Sequence, residues 1–493
     1  MRTNPRIPVC GAALLCACAS AAAPGTAAAT PWHESASGRD GPTVMIVGGM
    51  HGNEPAGAAA ADQIRHWPVT RGRIVVVPRA NAPALAANTR TLPAEEGAER
   101  FDLNRAFPPD AGAGHPGDQL ARSLWAPVRE TRPDWLIDLH ESVDFRVRNQ
   151  RRVGNSVIRS GSADARRMGV RMVEALNAAL GDPERRFVPL SQPAKGSLAR
   201  AAAEGLGVRS LIVETTTKAG PQALRARQHR IAVRAALLDL GMIDPARVTP
   251  ELMTPEPAQA APDAPIRVAL YDGTGNGGAG LAKVTARLGA GAGFAPVRVC
   301  PEDIRAGALR RFDAVVFTGG SGSAQGKALG NDGRAEVRRL VERGGGYVGI
   351  CAGAYLACRG FPTWGLGIID AKTLSPKWRR GRAVVKLELT GPGRALLDGP
   401  PGRFDCLYHQ GPIVGPAQAP DLADYQPLAL FRTEVAKNGT PKGIMVNSPA
   451  IFAGTCGQGR VVCFSPHPEQ TDGLDDLVPR AVRWAAGAGA CLR

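Results

Sequence analysis

Short apolar runs, each closed by Gly or a polar cluster, recur along this chain and alternate with stretches of helical period. Thr43-Val44-Met45-Ile46-Val47, Trp135-Leu136-Ile137 and Leu211-Ile212-Val213 are of this kind. A strand that is apolar at consecutive positions is buried on both faces, as in a parallel or mixed sheet clad in helices on each side. Residues 222 to 240 follow a helical pattern that closes this first series. Residues 245 to 265 then carry Pro245, Pro250, Pro255, Pro257, Pro262 and Pro265 among Ala, Glu and Thr, which reads as a semi-rigid linker. A second series opens with the strand Ile266-Arg267-Val268-Ala269-Leu270-Tyr271. Residues 296 to 300 and 314 to 317 read as further strands, and 334 to 343 as a helix. The pattern predicts an α/β protein of two domains, 30–244 and 266–493, joined by the linker.

Candidate chemistry concentrates where the first series of strands ends. His51-Gly52-Asn53-Glu54 follows the first apolar run, and His140-Glu141-Ser142 follows the second. Catalytic zinc takes three N or O ligands and keeps one position open. A lone His-x-x-Glu supplies two and is common in ordinary loops, but the second strand-end His offers a third. Between them lies Asp102-Leu103-Asn104-Arg105-Ala106-Phe107-Pro108, and after them Ile212-Val213-Glu214-Thr215.

These four motifs, in this order over residues 40 to 244, resemble the zinc carboxypeptidase superfamily, in particular its succinylglutamate desuccinylase/aspartoacylase branch. The resemblance implies an α/β/α domain with a mixed sheet. It also implies a Zn2+ cofactor held by His51, Glu54 and His140, with Glu214 as general base. Asn104 and Arg105 match the pair that holds a substrate carboxylate, and Arg90 matches the arginine that polarises the scissile carbonyl. A planar guanidinium suits a carboxylate in a way that Lys would not. Asp102 is expected either to hold the distal nitrogen of His51 or to cap a loop. Glu141 and Asp138 read as a solvated strand end and a local hydrogen bond, and His229 as a structural or surface histidine.

The second series carries its own motif. Gly346-Tyr347-Val348-Gly349-Ile350-Cys351-Ala352-Gly353 reads as a strand, a sharp turn at Cys351 and a helix start, the form of a nucleophile elbow. A helix N-terminus behind a thiol favours the thiolate. With Ser465-Pro466-His467-Pro468-Glu469 downstream, it resembles the class I glutamine amidotransferase-like superfamily. Phe317-Thr318-Gly319-Gly320 and Tyr408-His409-Gln410-Gly411-Pro412 bring it closest to the biotin–protein ligase N-terminal type of domain. That implies a flavodoxin-like fold with Cys351 as nucleophile, His467 as its base and Glu469 orienting His467. The N–H groups of Ala352 and of Gly319 or Gly320 would form an oxyanion hole, and His409 would shape the pocket. Domains of this shape also serve as binding modules, and no synthase domain that would receive ammonia is present.

Composition sets the remaining bounds. The basic start Met1-Arg2-Thr3-Asn4-Pro5-Arg6, the apolar stretch to about residue 23 and Ala27-Ala28-Ala29 before Thr30 read as a signal peptide over residues 1–29. The expected location is the periplasm or the exterior. Leu15-Cys16-Ala17-Cys18 is a near-match to a lipoprotein box, so a lipid anchor stands beside simple cleavage as an expectation. No later run is long and apolar enough to span a membrane. The net charge of +16 comes mostly from scattered arginines without aromatic clustering, which argues against nucleic acid as partner. Of ten cysteines seven follow the leader, all in the second domain. Six of those, leaving out Cys351, are open to disulfide pairing or to burial as free thiols.

The sequence therefore reads as a secreted zinc-dependent hydrolase that cleaves an amide bond beside a free carboxylate. Its substrate would be a short peptide, cell-wall derived in one version, or an N-acyl amino acid. Two alternatives are an amidase working at Cys351 with an accessory zinc domain, and a non-catalytic envelope binding protein.

Overall fold

A computed structural model of the chain describes residues 30–93, 101–109, 116–254, 264–289 and 292–487. The leader, its lipoprotein-like box and Cys491 lie outside the described residues.

Seven strands build the first sheet: β1 (His33–Ala36), β2 (Thr43–Gly48), β3 (Arg73–Val77), β4 (Trp135–Ser142), β5 (Ser156–Arg159), β6 (Val188–Ser191) and β7 (Arg209–Thr216). Their spatial order is β1-β3-β2-β4-β7-β5-β6. The central strands β3, β2, β4 and β7 are parallel, while β1 runs against β3 and the parallel pair β5 and β6 runs against β7, so the sheet is mixed. Alternate residues of β2 show why its run is apolar throughout. Val44 and Ile46 pack with the helices Pro55–Ile64, Ala163–Ala178 and Gln222–Asp239, whereas Met45 and Val47 pack with Pro116–Thr131 and Leu198–Leu206. Both faces are thus covered, as the pattern predicts.

The second sheet takes β8 (Ile266–Tyr271), β9 (Phe294–Val299), β10 (Ala314–Phe317), β11 (Gly346–Ile350), β13 (Arg382–Leu389), β14 (Arg403–His409), β16 (Gln426–Phe431), β17 (Pro449–Cys456) and β18 (Gly459–Phe464). A separate pair is formed by β12 (Ala371–Thr373) and β15 (Val414–Pro416). In the large sheet β9-β8-β10-β11-β18 are parallel neighbours, the 2-1-3-4-5 order of a doubly wound sheet. Four antiparallel strands, β17, β16, β13 and β14, extend it beyond a simple flavodoxin-like sheet. The helix expected over 334 to 343 is longer, Gly322–Glu342, and tolerates a non-helical Gly330 at φ 65°.

The Pro-rich stretch does not hang free over its first half. Trp67 donates its indole N–H to the carbonyl of Leu252 at 2.7 Å, and Arg234 donates to that of Val248 at 2.8 Å. Met253 is buried in the core of the second sheet. The helix Gln222–Asp239 also reaches the second domain, through Arg227 and Arg230, which bind Asp303. Residues 255–263 lie outside the described residues.

Candidate active site

The C-terminal ends of β2, β4 and β7 lie side by side, and it is there that ligands bind in sheets of this kind. His51 and Glu54 stand in the turn after β2, closed by the Glu54 N–H on the His51 carbonyl at 3.2 Å. Gly52 is obligatory within it, since a Cβ there would sit 1.9 Å from the carbonyl oxygen of Ala84. His140 comes from β4, and the parallel register places Glu214 of β7 directly beside it.

His51, Glu54 and His140 are nearly sealed from solvent, with 3%, 5% and 2% of their surface exposed, and their donor atoms all lie within 4.8 Å of one another. His51 Nδ1 is 2.8 Å from Glu54 Oε1, and His140 Nδ1 is 2.9 Å from Glu54 Oε2. The distal nitrogens are held from outside, His51 Nε2 by Asp102 at 3.0 Å and His140 Nε2 by Asp138 at 2.9 Å. Carboxylates on the outer nitrogens fix the ring orientation and raise ligand basicity, as around zinc histidines generally. The electrostatics agree. Burial disfavours a charged His51 ring, but Asp102 and Glu54 outweigh it and raise its pKa. His140 is raised further, against its burial, by Asp138 and Glu54. Burial works against the Glu54 carboxylate too, yet the two histidines hold it well below the usual range. Donors that all favour a positive charge at their centre fit a zinc ion, and this set fits one.

The surroundings correct one expectation, that of Glu141, and add to two others. Asp138 makes the local bond expected of it, and that bond pins His140; residues i and i+2 of a strand share a face, so a D-x-H pair carried that signal. Glu141 is not a solvated strand end. It is buried, accepts the Ala56 N–H at 2.7 Å and pairs with Arg225. Asn104 lies 5% exposed with both ends of its amide engaged, Nδ2 at 3.2 Å from His140 Nε2 and Oδ1 accepting the Leu198 N–H at 3.0 Å. It braces the centre from within, whereas Arg105 beside it is exposed. Arg90 reaches the centre, donating to Glu54 Oε1 at 2.9 Å. Burial pushes the Glu214 carboxyl above the ordinary range. His229 is structural: it is fully buried, 3.3 Å from Thr215 Oγ1, and burial lowers it to about 3.

A second constellation stands in the other domain. Cys351 occupies the turn between β11 and the helix Ala352–Ala357 at φ 51°, a left-handed conformation costly for a residue with a Cβ and typical of strain held at a functional turn. His467 lines one cavity with Cys351, whose thiol donates to the His409 carbonyl at 3.4 Å, and its Nδ1 lies 2.8 Å from Glu469 Oε1. Burial lowers the His467 pKa, but Cys351 and Glu469 prevail and push it up to about 10. Gly319 is needed beside this ring, because a Cβ would come within 2.7 Å of His467 Cε1. Gly319, Gly320, Ala352 and His409 line the same cavity as Cys351. The six described cysteines are all free and buried, so among the described residues the free-thiol alternative holds.

Residues 40–239 match the family described as the succinylglutamate desuccinylase/aspartoacylase catalytic domain. Residues 267–362 match the N-terminal domain of biotin-protein ligase. His467 and Glu469 fall outside the second match. Over 105 residues the chain is 35% identical to N-alpha-acetyl-L-2,4-diaminobutyric acid deacetylase of Halomonas elongata, covering 20% of this chain and 29% of that protein. The chain thus spans less than a third of that relative. Among solved structures it is similar to the cell shape determinant protein Csd4 of Helicobacter pylori, at 21% identity and a TM-score of 0.38 over 43% of this chain and 55% of that one. It is also similar to a succinylglutamate desuccinylase/aspartoacylase of Rhodobacter sphaeroides, at 24% identity and a TM-score of 0.31 over 43% and 59%.

Proposed function

We propose that the protein is a secreted zinc-dependent hydrolase that cleaves an amide bond next to a free carboxylate in N-acyl amino acids or short peptides. The convergence of His51, Glu54 and His140, with Glu214 in register beside them, carries this reading. A bound zinc would supply Lewis-acid polarisation of the scissile carbonyl and an acidified water. The remaining work belongs to the chain. Glu214, outside the three-donor group, takes the proton of the attacking water and returns it to the leaving nitrogen. Arg90, which donates to Glu54, polarises the scissile carbonyl, and exposed Arg105 meets the substrate carboxylate at the rim. The Halomonas deacetylase, whose name denotes an N-acyl amino acid substrate, supports the acyl-amino-acid version.

Two measurements test this. His51→Ala and His140→Ala should each lose bound zinc in metal analysis, and wild-type content in either would sink the ligand set. Arg105→Lys should weaken cleavage of free-acid substrates by about tenfold while amidated ones change little, since Lys lacks the bidentate fork. An equal response from both substrate classes would remove Arg105 from that role.

A second reading places thiol chemistry at Cys351, supported by the strained turn and the Cys351–His467–Glu469 line. Cys351 should then be alkylated faster than Cys456 in a peptide-mapped iodoacetamide reaction, and His467→Ala should slow it. Faster labelling at Cys456 would count against this site.

A further inference from the structure

The cavity in front of Cys351 has a composition that bears on what it takes. It holds about 450 Å3, and among the described residues its lining contains no Asp, Glu, Lys or Arg. Free glutamine carries an ammonium that this lining gives no carboxylate to meet, and burying it without a counter-charge is costly. Instead one wall is aromatic. Phe361 stacks on Trp364 with ring centroids 4.2 Å apart, Tyr355 meets Phe361 at 6.3 Å, and Trp378 lines the pocket with 47% of its surface exposed. Neutral hydrogen-bonding groups, Thr373, Ser375 and Gln410, lie among these rings. The buried guanidinium of Arg380 is shut away: Arg380 is 2% exposed and donates to the Pro441 carbonyl at 2.9 Å, with Glu434 3.5 Å off.

Resting on the thiol reading above, we infer that the Cys351 site takes an uncharged carboxamide whose acyl group carries a ring, aryl or sugar, and not free glutamine. The ring lies on the aromatic wall, where an indole or phenyl face favours a flat or CH-rich partner. The Cys351 sulfur bonds the carbonyl carbon with its proton held on His467. The C–N bond then breaks as His467 returns the proton to the leaving nitrogen, leaving a thioester. Water, giving a proton to His467, hydrolyses that thioester to the carboxylic acid and restores the thiol, so atoms balance with water as sole co-reactant.

The test is protection of Cys351 from iodoacetamide in the full-length protein. Phenylacetamide (aryl) and D-glucuronamide (sugar) are compared with L-glutamine. At least one neutral ring amide should slow labelling about fivefold or more, the scale of a single stacked ring, and glutamine should not. The better protector identifies the ring. Within Trp378→Ala the ratio of protected to unprotected rate should fall towards one, each variant serving as its own baseline. Protection by glutamine equal to that of the ring amides, or protection unchanged in Trp378→Ala, overturns the inference. Occupancy is read independently of thiol reactivity by tryptophan fluorescence, with Trp378→Phe assigning the signal. If Cys351 proves unreactive yet the ring amides bind, the thiol reading fails and the pocket's selectivity stands. If Cys351 labels fast and neither ring amide binds, the selectivity fails and the thiol reading stands.

Discussion

Glu214→Gln should leave zinc content at the wild-type level and lower turnover about 10²-fold or more. The substitution keeps size and a hydrogen-bonding end but removes the group that accepts a proton, and general-base assistance is worth roughly 10²–10⁴ in rate. The argument rests on placement. Glu214 follows Val213 at the end of β7 and pairs in register with His140, but the close group of donor atoms comprises only His51, Glu54 and His140. A residue beside the metal and outside its ligand set is placed to act on the water. Metal analysis and initial rates on the same preparation decide between three outcomes. Loss of zinc would make Glu214 a ligand; retained zinc with unchanged rate would deny it the base role; retained zinc with collapsed rate is expected.

How much of this was legible in the sequence depends on distance along the chain. The doubly buried strands were visible in their unbroken apolar runs, and β8 and β10 keep the bounds the pattern predicts. His51, Glu54 and His140 were found because a strand end announces itself in sequence. Their supports were harder to read. Asp138 lies two residues from His140 on the same face, a signal that went unused. Arg225 meets Glu141 across 84 residues, a pairing that only the fold reveals. The antiparallel extension of the second sheet escaped because strands such as β13, Arg-Ala-Val-Val-Lys-Leu-Glu-Leu, are half polar. The glycines within Gly322–Glu342 concealed more than half of that helix.

The linker composition implies two sites that work separately, but the two domains are packed together through buried charge. Asp303→Ala is expected to destabilise the whole chain by about 3–5 kcal/mol, the usual cost of removing one partner of a buried ion pair. Arg230, on the helix that closes the first domain, is fully buried, and its guanidinium donates to both oxygens of Asp303 at 2.9 and 3.0 Å. Arg227 donates to the same carboxylate at 2.7 Å, and the Cys300 thiol at 3.2 Å. Arg230 also bonds Gln63 and the Pro250 carbonyl, so one guanidinium ties the first domain, the Pro-rich stretch and the second domain together. At the start of the same helix the Ala223 N–H donates to Asp272 of the second domain at 3.1 Å, so the helix lacks a side-chain cap of its own and takes one from across the boundary. Removing Asp303 leaves a desolvated guanidinium with no counter-charge, which neither domain can expose without parting from the other. Calorimetry should show unfolding at lower temperature, with the two domains melting as separate transitions. Pairing Arg230→Met with Asp303→Leu should recover most of the loss, because well-packed apolar residues often replace a buried ion pair without penalty. A single variant within about 1 kcal/mol of wild type would mean that water reaches the pair and that the boundary is softer than its burial implies. The helix carrying this bridge also places Arg225 on Glu141 and His229 against Thr215, the residue after the expected base. Loosening the boundary therefore acts on the element that braces the zinc site, and turnover should fall in Asp303→Ala even though Asp303 belongs to the other domain.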